Sequence, residues 1–110
     1  MFKNEVAEFI YKRTYSRWIE EESRREDWPE TIERFIGFII SERPDIPEKT
    51  VHKIRKYMTE FAVMPSMRFL WAAGDAAKKD NTCIYNCSFA KINSVDAFAE
   101  CLYILMCGTG

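Results

Sequence analysis

The sequence predicts a mainly α-helical N-terminal region over residues 1–61, then one strand and one helix in residues 62–110. Three observations carry this. Apolar residues recur at helical spacing in three successive segments before residue 62. Pro29 and Pro47 stand where two of those helices should begin. After Met64-Pro65 the helical period lapses, and from Thr82 the pattern alternates as in a strand.

The first segment places Val6, Phe9, Ile10, Tyr11, Tyr15, Trp18 and Ile19 on one side of a helix, at least to Tyr15. The charged run Glu20–Asp27 reads as a solvated helix face or turn. Asp27, Pro29 and Glu30 then form a helix start, with an acceptor side chain, an early proline and a glutamate three residues on. That helix shows Ile32, Phe35, Ile36, Ile39 and Ile40 as its apolar stripe, and should stop near Ser41 because Pro44 disfavours helical geometry at Arg43. Pro47 opens a third helix with Val51, Ile54, Tyr57, Met58 and Phe61 facing inward, packed on the second across Arg43–Ile46. From Met64 to Asn81 periodicity lapses, which predicts an ordered loop with a short helix around Asp75–Lys79. Thr82–Ile92 reads as a strand, with Cys83, Tyr85, Cys87 and Phe89 on one face and Ile84, Asn86, Ser88 and Ala90 on the other. Ser94 caps a last helix whose inner face is Phe98, Cys101, Leu102, Leu105 and Met106.

Composition excludes several classes. A chain of 110 residues suits one modest domain core. With 47% hydrophobic and 15% aromatic residues it is not compositionally disordered. A formal net charge of −1 lacks the basic excess of a nucleic-acid binder, so neither DNA nor RNA is expected as a partner. No apolar stretch approaches the roughly 20 residues that span a bilayer, and no apolar signal region opens the chain. The expectation is a soluble cytoplasmic protein, or one of host cytoplasm if the source is viral, with no membrane partner. The closing Cys107-Gly108-Thr109-Gly110 resembles the opening of a turn or ligand loop, which predicts a truncated chain or an interrupted gene.

The four cysteines do not read as a metal site. On a strand, the α-carbons of Cys83 and Cys87 would lie roughly 13 Å apart, too far for zinc–sulfur bonds of about 2.3 Å without an intervening turn. His52 lies between Val51 and Lys53 as an ordinary surface or half-buried residue. A disulfide framework is not expected of an intracellular chain with this much core. Cys101, Cys107 and Cys83 read as small apolar residues; Cys87 differs because of its neighbours.

Asn86-Cys87-Ser88-Phe89 follows a loop reading Met64-Pro65-Ser66-Met67-Arg68-Phe69-Leu70-Trp71-Ala72-Ala73-Gly74, and precedes a helix ending Met106-Cys107-Gly108-Thr109-Gly110. Upstream stand Tyr11-Lys12-Arg13-Thr14-Tyr15-Ser16-Arg17-Trp18 and Arg25-Glu26-Asp27-Trp28-Pro29-Glu30-Thr31. This order resembles the N-terminal segment and the start of the catalytic α/β barrel of ribonucleotide reductases. The Pro-Ser-x-Arg-x-Leu-Trp-x-x-Gly form is similar to the monomeric, adenosylcobalamin-dependent class. The resemblance covers essentially the whole chain.

The resemblance implies that residues 62–110 begin a truncated barrel and that Cys87 is the first redox cysteine, on the first barrel strand. It implies substrate contacts at Ser66, Asn86, Gly108 and Gly110, the glycines allowing close backbone approach to a nucleotide. In the family a thiyl radical on another cysteine removes the ribose 3′ hydrogen, the 2′ hydroxyl leaves as water, and the redox pair supplies two electrons. A ribonucleotide substrate, most often a triphosphate, is implied, as are adenosylcobalamin, a deoxynucleotide effector and thioredoxin or a similar dithiol reductant. Nothing in the chain matches the radical cysteine, its partner asparagine and glutamate, the second redox cysteine or the C-terminal cysteine pair, and no cobalamin ligand is assigned. The polypeptide alone is therefore expected to be inactive, completed by the missing C-terminal part of the reductase. Two rivals remain open: a class I diphosphate reductase large-chain fragment, and a non-catalytic helical interaction module.

Overall fold

The computed structural model describes residues 2–110. It is mainly helical, with one short antiparallel ribbon among the described residues. Helix α1 spans Glu5–Thr14; the Asn4 side chain caps it by accepting from the Ala7 amide at 2.8 Å. Glu5 and Glu8 in its first turn and Lys12 and Arg13 in its last complement the helix dipole. Its buried side is set by Tyr11, whose ring stacks on Phe2 at 4.9 Å and meets Trp28 edge-on at 5.5 Å. The expected inner positions Val6, Phe9 and Ile10 face outward instead. Ala7, Tyr11 and Tyr15, four apart, form the inward edge, and a helix this narrow cannot bury both.

The mixed-charge run is a hairpin. Strand β1, Trp18–Ile19, pairs antiparallel with β2, Arg24–Arg25, and Ser23 takes a positive φ of 48° in the turn. The solvated reading holds for Glu20–Ser23 and fails at Glu26, which is 6% exposed. Its carboxylate accepts from Arg34 Nε at 2.8 Å, Arg34 Nη2 at 3.2 Å, Thr31 Oγ1 at 2.9 Å and the Arg17 amide at 3.2 Å. Its carbonyl accepts from Ser16 Oγ at 2.6 Å and Lys12 Nζ at 2.9 Å. Thr31 gives its one hydroxyl proton to the carboxylate, so the 2.6 Å contact with Tyr11 runs from the tyrosine to the threonine. A buried carboxylate needs this many partners.

Helix α2, Trp28–Glu42, begins with the expected capping box: Asp27 accepts from the Glu30 amide at 3.0 Å and Glu30 from the Asp27 amide at 2.8 Å. Ile32, Phe35, Ile36 and Phe38 are buried, while Ile40 at the stripe's edge is not. Helix α3, Glu48–Thr59, follows Pro47 and packs on α2 as anticipated, burying Val51 and Met58. Trp28 Nε1 donates to the Met58 carbonyl at 3.2 Å, and Arg55 pairs with Glu33 at 2.6 Å across the two helices. Helix α3 ends in a Schellman turn, with Phe61 N donating to Met58 O at 3.1 Å and Ala62 N to Tyr57 O at 2.9 Å. Phe61 occupies the position that favours glycine, at φ 56°, and its ring stacks on Trp28 at 5.0 Å.

The expected loop after Met64 holds two helices. Ser66 Oγ accepts from the Phe69 amide at 3.1 Å and starts α4, Met67–Ala72; α5, Asp75–Lys79, lies where a short helix was anticipated. Gly74 turns the chain between them at φ 113°. Leu70 is fully buried, and with Ala73 and Ala77 it joins one core with Tyr11, Trp28, Ile32 and Phe35. Arg34 secures this joint by donating to Leu70 O at 3.1 Å and Ala73 O at 2.6 Å.

The expected strand Thr82–Ile92 is not one. Asn81–Ile84 forms a 3-10 turn capped by Asp80, which accepts from the Thr82 amide at 2.9 Å. Cys83 and Ile84 both pack on the core, contrary to strand alternation. The extended spacing assumed between Cys83 and Cys87 thus does not apply; among the described residues no three potential ligands gather around a metal position. Residues 85–93 run without sheet pairing, and Phe89 is 95% exposed. Helix α6, Val95–Met106, is capped by Ser94 as read, accepting from the Ala97 amide at 3.2 Å. Its expected inner face is exposed at Phe98, Leu102, Leu105 and Met106, and only Ala97 is buried. A helix apolar on this much of its surface normally requires cover on more than one side. Among the described residues no helix is long and apolar enough to cross a membrane.

Candidate functional site

Cys87 lies in the extended segment before α6, and Gly110 lies just beyond that helix. Ser88 N donates to Gly110 O at 2.7 Å, and Gly110 N donates to Asn86 O at 3.0 Å. One residue exchanging bonds with both neighbours of another is the pattern of a parallel bridge, here between Cys87 and Gly110. This single bridge ties the extended segment before α6 to the residue beyond it, and among the described residues neither side is a strand. A Cβ on Gly110 would stand 3.2 Å from the Asn86 carbonyl, so side-chain substitution there crowds the bridge.

Gly108 enables the turn out of α6 at φ 98°, and its carbonyl accepts from Arg68 Nη2. Buried Thr109 donates through Oγ1 to Thr82 O at 2.6 Å. Arg68 lies over the Trp71 ring with its guanidinium carbon 5.6 Å from the centroid, and Arg17 lies 5.3 Å from the same ring. Arg17 also donates to the Trp71 carbonyl. Burial, then repulsion from Arg34, lowers the Arg17 pKa from its usual value. A cleft of about 300 Å³ opens here, lined by Thr14, Tyr15, Met67, Arg68, Trp71 and Asn86.

The structure therefore brings Asn86, Cys87, Gly108 and Gly110 together. Asn86 lines the cleft; Cys87 and Ser66 do not. Ser66 serves as the helix cap of α4, one residue before Met67 of the cleft wall. The cysteines differ in setting: all four are free thiols, Cys87 exposed and Cys83, Cys101 and Cys107 half-buried. A hydrogen bond to Asp80, then burial, pushes the Cys107 thiol up, which disfavours the reactive thiolate. Arg68, Trp71, Thr14 and Tyr15, to which the sequence assigned no site role, shape the cleft. Arg68 and Trp71 stand inside the loop motif Met64–Gly74, whose other large apolar residues include Met64, Met67 and Phe69. Only Phe69 of that group turns inward, against Phe35 at 5.0 Å and Phe38 at 5.7 Å; Met64, Met67 and Trp71 are exposed.

A helical scaffold carrying an exposed thiol on an extended segment, tied across α6 to Gly110, is the class of site the structure defines. The chain belongs to the ribonucleotide reductase family: residues 1–75 match the model of the ribonucleotide reductase alpha domain. It is similar to the adenosylcobalamin-dependent ribonucleoside-triphosphate reductases of Lactobacillus gasseri, at 33% identity over 80% of this chain, and Lactobacillus leichmannii, at 32% over 74%. The corresponding enzyme of Levilactobacillus brevis is 33% identical over 80% of the chain. The chain spans only 13% of the length of the Lactobacillus gasseri relative. No solved structure matches it significantly.

Proposed function

We propose that this chain is the N-terminal part of a ribonucleoside-triphosphate reductase, in which Cys87 is one of the two thiols that reduce the ribose. The observation that carries this is the parallel bridge between Cys87 and Gly110 across α6. It supports a reading of residues 85–110 as the first strand, first helix and second-strand start of a larger α/β barrel. The exposed apolar faces of α6 and of Val6, Phe9 and Ile10 suit surfaces that the remainder of such a protein covers.

In this reading the chain's own residues bind and position. The cleft, with room for part of a nucleotide, offers the Asn86 amide, the Thr14 hydroxyl and the Arg68 guanidinium beside aromatic walls. The glycines at 108 and 110 let backbone approach the substrate, and Ser66 sits at the start of the helix forming one wall. Cys87 gives a proton within hydrogen-bond reach of the departing 2′ hydroxyl. Together with a second thiol it then gives two electrons and ends as a disulfide. Adenosylcobalamin, when bound, supplies the initiating radical. A cleft of about 300 Å³ does not suit a corrin, so no residue of it is assigned to the cofactor. A dithiol reductant of the thioredoxin kind and a deoxynucleotide effector complete the proposal.

The test is deoxynucleotide formation by the full-length reductase carrying this segment. Cys87→Ser should abolish turnover with a dithiol reductant, and wild-type activity should depend on adenosylcobalamin. Full activity of the serine variant would remove the assignment. Activity that instead needs a metal-containing radical subunit would place the chain in class I.

A further inference from the structure

We infer that Arg68 is a positioning residue for Cys87, acting through the glycine segment, an inference that rests on the redox reading of that thiol. The segment after α6 is held at three successive residues. Gly108 O accepts from Arg68, Thr109 Oγ1 bonds Thr82 O, and Gly110 exchanges bonds with Asn86 and Ser88 on either side of Cys87. The last two holds are internal to residues 82–110. Of the three, the Arg68 bond alone reaches across from α4, forty residues away in sequence.

The guanidinium is braced for this work. Trp71 lies one helical turn on from Arg68, and the 5.6 Å stack of cation on ring fixes the arginine plane against its own helix. Helix α4 is itself anchored, because Arg34 holds the Leu70 and Ala73 carbonyls and Arg17 the Trp71 carbonyl. Arg34 in turn is gripped by buried Glu26. A continuous line of polar contacts thus runs from Glu26 to Arg34, along α4, through Arg68 to Gly108, and on to the bridge at Cys87.

The chemistry of Arg68 fits a geometric role better than a stabilising one. Among the described residues no carboxylate forms an ion pair with it. Its Nε is buried and finds no hydrogen-bond partner among the described residues. Leaving that donor unmet is costly, and a scaffold contact alone would be served by a smaller neutral group. What the arginine adds is a rigid plane and a charge-assisted bond aimed at one carbonyl. That bond fixes Gly108, and with it the register of Gly110 against Cys87.

Amide hydrogen exchange on this 110-residue chain tests the inference. In Arg68→Gln, the Ser88 and Gly110 amides should exchange about ten- to hundredfold faster, the span of one lost charge-assisted bond. Amides in the middle of α2, such as those of Phe35 and Ile36, should keep their rates. Arg68→Lys, able to reach the Gly108 carbonyl without the planar stack, should restore much of the protection. Unchanged exchange at Ser88 and Gly110 in the glutamine variant, or equal acceleration across α2, would overturn the inference. If the glutamine variant does not fold, through-bond coupling from the Arg68 Nη nitrogen to the Gly108 carbonyl in the wild-type chain decides, and its absence overturns the inference. A fully active Cys87→Ser reductase would defeat the redox reading while leaving these exchange rates as they are, so the two failures are separable.

Discussion

Glu26→Gln is the perturbation that the structure makes most informative. Glutamine keeps the shape and one acceptor oxygen but removes the charge that faces Arg34 at 2.8 Å, in a pair whose side chains are 8% and 17% exposed. Breaking one side of such a buried pair commonly costs about 3–5 kcal/mol. Two features reduce the figure here. Arg34 still donates to the carbonyls of Tyr15, Leu70 and Ala73, so its charge keeps partial solvation by protein dipoles. Glutamine also continues to accept from Thr31 or the Arg17 amide. A net loss of about 2–3 kcal/mol follows. At about 4 °C per kcal/mol for a domain of this size, Tm should fall by about 10 °C. Urea and thermal unfolding followed by tryptophan fluorescence measure both quantities, since Trp28 is buried in the core. Adding Arg34→Met should restore part of the loss, with a coupling above about 1 kcal/mol in a double-mutant cycle. A loss under about 0.5 kcal/mol, or additive single effects, would refute the claim that this pair joins the hairpin, α2 and α4.

At Phe61 two terms oppose. Its ring stacks on Trp28, but its backbone is left-handed, a conformation costing about 1–2 kcal/mol for an L side chain. Both Phe61→Ala and Phe61→Gly should destabilise by losing the ring, yet glycine should be better than alanine by about 1 kcal/mol in urea denaturation. A glycine variant no better than alanine would contradict the strain. At Glu30, bonding to Arg24 and then to the Asp27 amide lowers the carboxyl pKa to about 2 from an ordinary 4.5. A depressed carboxyl contributes stability that is fully present above 4.5 and lost as pH falls through about 2. Stability measured across that window should drop more in wild type than in Glu30→Gln, and parallel curves would reject the coupling.

How much of this was legible beforehand depends on whether the cause was local. The Asp27 capping box, the Pro47 start, the Ser94 cap and the α2–α3 pairing all involve residues within a few positions of one another, so their chemistry is written in sequence order. The loop motif around Ser66, Arg68 and Trp71 and the cysteine at 87 were visible as residue types. Their relations were not. Alternation over Thr82–Ile92 suggested a strand, but a strand requires a hydrogen-bonding neighbour, and among the described residues only Gly110 comes alongside Cys87. Asp80 captures the Thr82 amide first and winds residues 81–84 into a turn.

The amino-acid order by itself determined where helices begin, because capping acceptors and prolines act on the nearest amides whatever the rest of the chain does. Only the tertiary structure decided which faces those helices bury, that Glu26 lies inside a charged run, and that Arg68 reaches Gly108. Those outcomes depend on the competition of many side chains for one small interior, and on charges finding partners far along the chain once packing has excluded water.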